Sequence, residues 1–262
     1  MPLSEQFEYI RFESGRSQSE SGHVVSEALV RLHVNGRELA TLMCSPHELD
    51  VLALGFLANE GIIAGRQDVR LVKVCPSLAC VEVWLRDANR ELPTHGVITS
   101  GCGGGITFAD LTAGIEPLTS ELRVTPRQIG RLLGALQGGQ ETRGVHTAAL
   151  AEGESLLFVA EDVGRHNTID RIRGRCLLEG VSTEGRVLLS TGRISSEMLD
   201  KAARMRIPVV ASRTSPTSMS VALAKAWNIT LVGYVRRDSL NVYAGQARIA
   251  EEDGERRIDA HS

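Results

Sequence analysis

No stretch of this chain approaches the roughly 20 consecutive apolar residues of a membrane span, and its first residues lack a charged start followed by an apolar run. The expectation is a cytoplasmic protein with no membrane partner. Basic excess is missing too: 29 Lys and Arg stand against 32 Asp and Glu, a net charge of -3. That balance argues against a nucleic-acid partner, so an anionic ligand would have to be held by a local arrangement. Cysteine is sparse. Cys44, Cys75, Cys80, Cys102 and Cys176 are odd in number and show no CxxC spacing. Such a set suits free thiols in a reducing compartment better than a disulfide framework. Cys75 and Cys80 fall in or beside an expected hairpin, and a tetrahedral zinc would need two ligands more. There is no internal repeat.

What is present is an ordinary folded composition: 262 residues, 42% hydrophobic and 23% charged, enough for one large domain or two modest ones. Residues 1–25 are polar, rich in Ser, Glu and Gly, and read as a flexible arm. Asn35-Gly36 between segments 28–34 and 37–43 is a two-residue hairpin signal. Ser45-Pro46-His47-Glu48 has the form of a capping box and predicts a helix over 46–60, stopped by Gly61. Segments 69–74 and 80–85 predict another strand pair, so 26–108 reads as a small α+β domain ending in a glycine–cysteine loop. Thr125-Pro126 then opens a helix whose Ile129, Leu132, Leu133 and Leu136 share one face. Short strands follow at 145–150 and 156–160, and afterwards strands and helices alternate as far as 241–243. That order implies parallel strands with right-handed crossovers, in an α/β core over 109–250 with a polar tail over 251–262.

Open parallel sheets bind ligands beyond the carboxyl ends of their strands, and three chemically loaded loops fall there. Glu161-Asp162-Val163-Gly164-Arg165-His166-Asn167 packs acids, an arginine and a histidine into one turn. Arg165 offers a planar fork for a phosphate or carboxylate and His166 a proton carrier near neutral pH. The same charges can equally pair with one another. Thr191-Gly192-Arg193-Ile194-Ser195-Ser196-Glu197 sets a glycine, an arginine and hydroxyls at a helix start, where free N–H groups and the dipole favour an anion. No Gly-Lys-Ser/Thr follows, so this is not a P-loop, and Ser195 as a plain cap explains the pattern as well. Ser212-Arg213-Thr214-Ser215-Pro216-Thr217-Ser218 repeats the theme one crossover later. Two such loops in succession suggest a ligand with more than one phosphate, such as a nucleotide. Arg236-Arg237-Asp238, after the last long strand, is either a solvated turn or a further anion clamp.

The reactive candidate is Cys102, within Thr99-Ser100-Gly101-Cys102-Gly103-Gly104-Gly105. Its glycine neighbours leave the thiol unshielded and let another molecule approach the backbone, whereas a core cysteine sits among apolar groups. A glycine hinge with an incidental cysteine is the alternative. His146, were it an adjacent imidazolium, would lower the thiol pKa from about 8.5 and enrich the thiolate; a lone strand histidine also serves structure alone.

The loop Glu161 to Asn167, Gly192-Arg193 with Ser195-Ser196-Glu197, Leu231-Val232-Gly233-Tyr234 and Asn241-Val242-Tyr243 resemble the FdhD family, accessory sulfurtransferases of formate dehydrogenase. The resemblance implies a small N-terminal part and a core like the cytidine-deaminase fold. Neither Pro-Cys-x-x-Cys nor His-x-Glu occurs, so neither deamination nor a permanent metal is implied. It implies a sulfur carrier, with the persulfide cysteine matching Cys102. Such a carrier takes sulfane sulfur from a cysteine desulfurase and passes it to molybdenum in the bis(molybdopterin guanine dinucleotide) cofactor, before that cofactor enters formate dehydrogenase. The family's cofactor-binding stretch matches Tyr234, Val235, Arg236, Arg237, Asp238 and Ser239. Gly192, Arg193, Ser195, Ser215, Arg165 and His166 are expected to hold the rest of the cofactor, and a homodimer is expected. There are two departures. Where the family often carries Cys-Gly-x-Cys, this chain has Cys102-Gly103-Gly104-Gly105, and Arg237-Asp238 replaces a glycine-containing turn. The lost resolving thiol leaves open a cofactor-binding chaperone that transfers no sulfur, or a guanine-nucleotide-binding module.

Overall fold

The computed structural model describes residues 4–93, 97–98, 106–107, 115–138 and 144–251. Its first residues correct the expectation of an unstructured arm. Strands β1 (Ser4–Glu13) and β2 (Arg16–Val25) pair antiparallel along their full length. Ser14 and Gly15 both take positive φ, 51° and 78°, as a two-residue turn that matches the right-handed strand twist requires. Among the described residues neither strand joins another sheet.

Next come β3 (Ala28–Val34), β4 (Arg37–Cys44), α1 (Leu49–Asn59), β5 (Val69–Val74) and β6 (Cys80–Leu85). Their four strands line up as β4-β3-β6-β5, with Asn35 and Gly36 forming the expected turn at φ of 50° and 78°. Val30, Leu32 and Val34 alternate inward with Val81, Val83 and Leu85, against an α1 that is buried on nearly every side. The helix begins at Leu49, not at residue 46, and Ser45 does not cap it. Ser45 is engaged by the core instead: its N–H donates to Asp162 Oδ2 at 3.2 Å and its hydroxyl accepts from Val163 N–H at 3.2 Å. Glu48 stands before the helix in the left-handed region, φ 40°.

The cysteine expectation is corrected here as well. Cys75 and Cys80 are joined by a disulfide across the β5–β6 turn, their Cα atoms 5.4 Å apart. Hairpin register is the cause: Val74 pairs with Val81, and Cys75 N–H donates to Cys80 O at 2.9 Å, which brings the two side chains opposite each other.

After a short pair, β7 (Val97–Ile98) and β8 (Ile106–Thr107), the core opens with α2 (Pro126–Gly138). It continues as β9 (His146–Glu152), β10 (Ser155–Asp162), α3 (Arg165–Glu179), β11 (Val187–Ser190) and α4 (Ser196–Arg204). Then follow β12 (Val209–Ser212), α5 (Ser218–Ala226), β13 (Thr230–Gly233) and β14 (Asn241–Ala244). The sheet order is β10-β9-β11-β12-β13-β14. Strands β11, β12 and β13 are parallel, as alternation with helices predicts, while β9 and β14 run the other way, so the sheet is mixed. Because β9 is antiparallel to both β10 and β11, the ends of β10 to β13 and the start of β9 share one edge.

Alternate residues face opposite ways along these short strands. Leu150, Leu188, Val210 and Leu231 pack with Ile169, Leu199 and Ala224 of α3, α4 and α5. Ala149, Leu189, Ala211 and Val232 pack beneath Ile129, Leu132, Leu133 and Leu136 of α2. Burial of each α2 side chain is worth about 1.5–3 kcal/mol, which pins the helix and presents its other face outward. Buried Lys201 of α4 donates to Asp170 of α3 at 2.7 and 2.9 Å and lies over Phe56 of α1, while Asn59 donates to the same carboxylate at 2.7 Å. The small N-terminal sheet is thereby fastened to the core.

Candidate anion cleft and sheet edge

The motif from Glu161 to Asn167 divides in two. Asp162 is fully buried and accepts from Arg171 Nε at 2.9 Å and Nη2 at 2.6 Å. It also accepts from Gly164 N–H and Asn167 Nδ2, each at 2.8 Å. Arg171 further donates to the carbonyls of Ser45 and His47, and Asn167 to that of Met43. These residues hold segment 43–48 to the core, so for them mutual pairing of charges is the reading that applies.

Arg165 and His166, one step on, begin α3 at the shared sheet edge. His146 starts β9 beside them, and Gly192 ends the turn after β11. A Cβ added to Gly192 would lie 3.1 Å from Arg165 Cβ and 3.2 Å from His146 Nδ1, so glycine lets these elements meet without either neighbour having to give way by a few tenths of an ångström. Burial first, and then the Arg165 guanidinium, push the His146 pKa below its ordinary value against the pull of Asp162. That shift favours the neutral imidazole of His146, and the expected juxtaposition with Cys102 falls on residues outside those described.

His166 is held neutral more strongly. Burial, then Lys201 and Arg165, push its pKa down to about 2. Its Nε2 lies 3.1 Å from Ser195 Oγ and 3.2 Å from Glu197 Oε2. Both partners share one nitrogen, whereas a serine–histidine–acid relay needs the acid on the other. Ser195 accepts from Met198 N–H as the cap of α4. The cap reading of that hydroxyl therefore applies.

A cleft of about 680 Å³ lies between α2 and the segment that follows β13. Arg127 and Arg131 line it from α2, Arg213 from the β12 loop, and Val235, Arg236, Arg237 and Asp238 from the last loop. A hollow of about 300 Å³ shares Arg127, Arg237 and Asp238 with it and adds Ser239. Arg236 Nη1 donates to Arg213 O at 2.7 Å, and Arg236 N–H to Ser239 O at 2.7 Å, which fixes the shape of the loop. Gly130 makes the approach possible: a Cβ there would sit 3.1 Å from Arg237 O. Five guanidinium groups around one hollow are the donor set for a ligand with several phosphate oxygens.

Other expected site residues stand apart from both groups. Tyr234 is exposed with a left-handed backbone, φ 53°, its N–H donating to Thr214 O, and it does not line the cleft. Arg193 is exposed, and Ser215 contributes its carbonyl to Ile194 N–H. Cys102 lies outside the described residues. Cys44 and Cys176 are buried, their thiols pushed up by burial to about 12 and about 11, so neither is a ready nucleophile at neutral pH. Sequence reasoning missed Arg127, Gly130, Arg131 and Gly134. Their i, i+3, i+4, i+7 spacing, opposite the apolar stripe of α2, was the available signal.

No cluster of His, Cys, Asp or Glu suited to a metal ion occurs among the described residues, and no helix among them is long and apolar enough to cross a membrane. What the fold and the cleft define is a mixed α/β protein with an arginine-lined hollow beside a mixed sheet. Residues 25–250 match the FdhD/NarQ family, and the chain belongs to that family. It is 36% identical over 250 residues to the sulfur carrier protein FdhD of Bacillus subtilis strain 168, covering 92% of this chain and 95% of that one. With the protein of the same name from Staphylococcus aureus strain MRSA252 it shares 35% identity over 256 residues, covering 93% of this chain and 96% of the relative. A crystal structure from Desulfotalea psychrophila, provisionally described as a formate dehydrogenase accessory protein, superposes with a TM-score of 0.80 at 29% identity. That likeness covers 95% of this chain and all of the other.

Proposed function

We propose that this protein is a cytoplasmic sulfur carrier serving formate dehydrogenase, with Cys102 as its persulfide site and the arginine cleft as its hold on the molybdenum cofactor. The observation that carries this reading is the cleft itself, because Val235, Arg236, Arg237 and Asp238 line it together with two arginines of α2. The substrate is the bis(molybdopterin guanine dinucleotide) cofactor, whose diphosphates suit that donor set. The likeness of the core to the cytidine-deaminase fold and the pairing of two copies belong to the same reading.

In the first step the Cys102 thiolate attacks the outer sulfur of a cysteine desulfurase persulfide. One S–S bond forms, one breaks, and the desulfurase cysteine leaves as its thiolate. In the second, Cys102 leaves as its thiolate, and the sulfane sulfur takes two electrons from the acceptor metal. This route uses a single cysteine and so tolerates glycine at position 105. The disulfide of Cys75 and Cys80 and the burial of Cys44 and Cys176 support Cys102 as the acceptor by removing its competitors.

Mass spectrometry after incubation with a cysteine desulfurase and cysteine tests the first step. The expected result is one added sulfur on the Cys102 peptide, lost on reduction. An unmodified Cys102 overturns it. Restoration of formate dehydrogenase activity by Cys102→Ser in cells lacking the protein would leave only a cofactor-binding chaperone.

A further inference from the structure

Cys75 and Cys80 close the β5–β6 turn, and the two transfer steps above make no use of them. The backbone holds them face to face without help from the S–S bond. Val74 pairs with Val81 beneath them, Cys75 N–H donates to Cys80 O at 2.9 Å, and Leu78 N–H donates to Cys75 O at 2.9 Å. Arg31 N–H donates to Ala79 O at 2.9 Å, so β3 anchors the turn as well. Leu78 takes the left-handed step, φ 56°, and packs against the core of the small sheet. A reduced pair is therefore already placed to close.

Stability gives little reason for the bridge. It joins residues only 5 apart in sequence, and a cross-link over so short a loop removes the least chain entropy. Access and charge point to chemistry instead. Cys75 and Cys80 are half-buried, and Pro76 and Ser77 between them are exposed. Val74 and Val81 pack on the core, so by alternation their neighbours Cys75 and Cys80 lie on the outer face of the sheet. There Lys73 faces Glu82 across the hairpin, while exposed Arg31 stands beside Cys80 in the parallel register of β3 and β6. A cation in that position favours the thiolate of a reduced cysteine.

We propose that Cys75 and Cys80 form a second sulfur-handling site, a dithiol that takes sulfane sulfur from a small persulfide and discharges it as sulfide. One thiolate attacks the outer sulfur of the donor, whose own thiolate leaves, and that cysteine becomes a persulfide. The partner thiolate then attacks the inner sulfur of this group, the disulfide closes and hydrosulfide departs. The two cysteine sulfurs give up one electron each, and the sulfane sulfur takes up both. The bridged hairpin is the product of this sequence, and an external dithiol reopens it by exchange. This chemistry is independent of Cys102. Its consequence for delivery rests on the carrier role proposed above: the bridged form leaves incoming sulfur to Cys102, and the reduced form diverts it.

The test uses the full chain carrying Cys102→Ser, reduced, freed of reductant without air and mixed with an equivalent of glutathione persulfide. Sulfide release and the mass of the alkylated peptide holding Cys75 and Cys80 are read together. The expected result is about one sulfide per chain with loss of both alkylatable thiols, and none above the buffer blank from the bridged form. This comparison of two redox states of one chain does not depend on how a further variant folds. Adding Cys75→Ser or Cys80→Ser should cut the release by about ten-fold or more, and the variant that keeps the attacking thiol should hold the added sulfur as a persulfide. Release at the blank rate from the reduced chain, or release that neither substitution lowers, would overturn the proposal. In the native chain, a limiting desulfurase persulfide should load Cys102 several-fold more in the bridged form than in the reduced one. Equal loading would overturn the diversion, whereas no loading in either form would strike the carrier role and leave the sulfide result standing.

Discussion

Gly55 of α1 and Gly174 of α3 each press against the other helix's backbone, a Cβ on Gly55 meeting Asp170 O and one on Gly174 meeting Val51 O. No side chain separates the helices there. The crossing is what lets Asn59 reach Asp170, and Phe56 reach Lys201. Gly55→Ala or Gly174→Ala should therefore force backbone against backbone and cost about 3 kcal/mol or more. Gly134 of α2, with nothing within 4 Å of its Cβ position, is the control, and Gly134→Ala should stabilise by about 0.5–1 kcal/mol. Urea unfolding of the three variants checks both signs.

Asp162 and Arg171 make a second prediction. Removing one partner of a fully buried pair leaves an uncompensated charge, so Asp162→Asn should cost about 3–5 kcal/mol. Arg171→Met should be at least as costly, although methionine fills similar space, because the arginine also serves the carbonyls of Ser45, His47 and Glu48. Hydrogen exchange would locate the damage: amides of segment 43–48 should lose protection before those of the central strands.

These two predictions also mark where the sequence could be read and where it could not. Asn35-Gly36 announced its hairpin because a two-residue turn depends on local backbone preference alone. Alternation of strands and helices after residue 187 gave β11, β12 and β13 their parallel order for the same kind of reason. Arg171 was invisible. It stands in Arg-Ile-Arg-Gly-Arg, which has the composition of a solvated helix face, and only the tertiary fold turns it inward. Ser45-Pro46-His47-Glu48 had every local mark of a capping box, yet long-range bonds from Asp162 and Val163 outbid the local cap. The Cys75–Cys80 bridge likewise follows from strand register, which composition and spacing do not specify. At the cleft, the last loop could be recognised as a run of charge, but its partner surface on α2 came from a segment read only for its apolar stripe.

Acid should weaken the fold through its buried histidines. Burial, then Arg171, pushes His47 down to about 4, and His166 stands at about 2, while the unfolded chain titrates near 6.5. Their native pKa values are depressed, so below about 6.5 the unfolded state binds more protons than the native one. Stability must fall as pH drops from about 7 to about 5.5, by up to about 1.4 kcal/mol per pH unit for each such histidine. His47→Gln should flatten that slope by up to one proton while sparing the carbonyl that Arg171 uses. Urea midpoints across this range decide the matter, and a slope unchanged in His47→Gln would exclude His47 as a source.

The arginine cleft gives a prediction of two signs. Arg127 and Arg237 border both the main cleft and its smaller neighbour, so either one replaced by alanine should weaken guanosine diphosphate binding by about 10- to 100-fold. Asp238 is the one carboxylate lining both hollows among the described residues. If phosphates lie near it, Asp238→Asn removes a repulsion and should tighten binding a few-fold, more so at low salt because exposed charges are screened. Gly130→Ala narrows the cleft where Arg237 O already approaches, and should weaken the ligand without altering the charge. Calorimetric titration at two salt concentrations separates these effects. Equal affinity in the arginine variants and the native chain would show that the cleft does not hold the phosphates, whatever happens at Cys102.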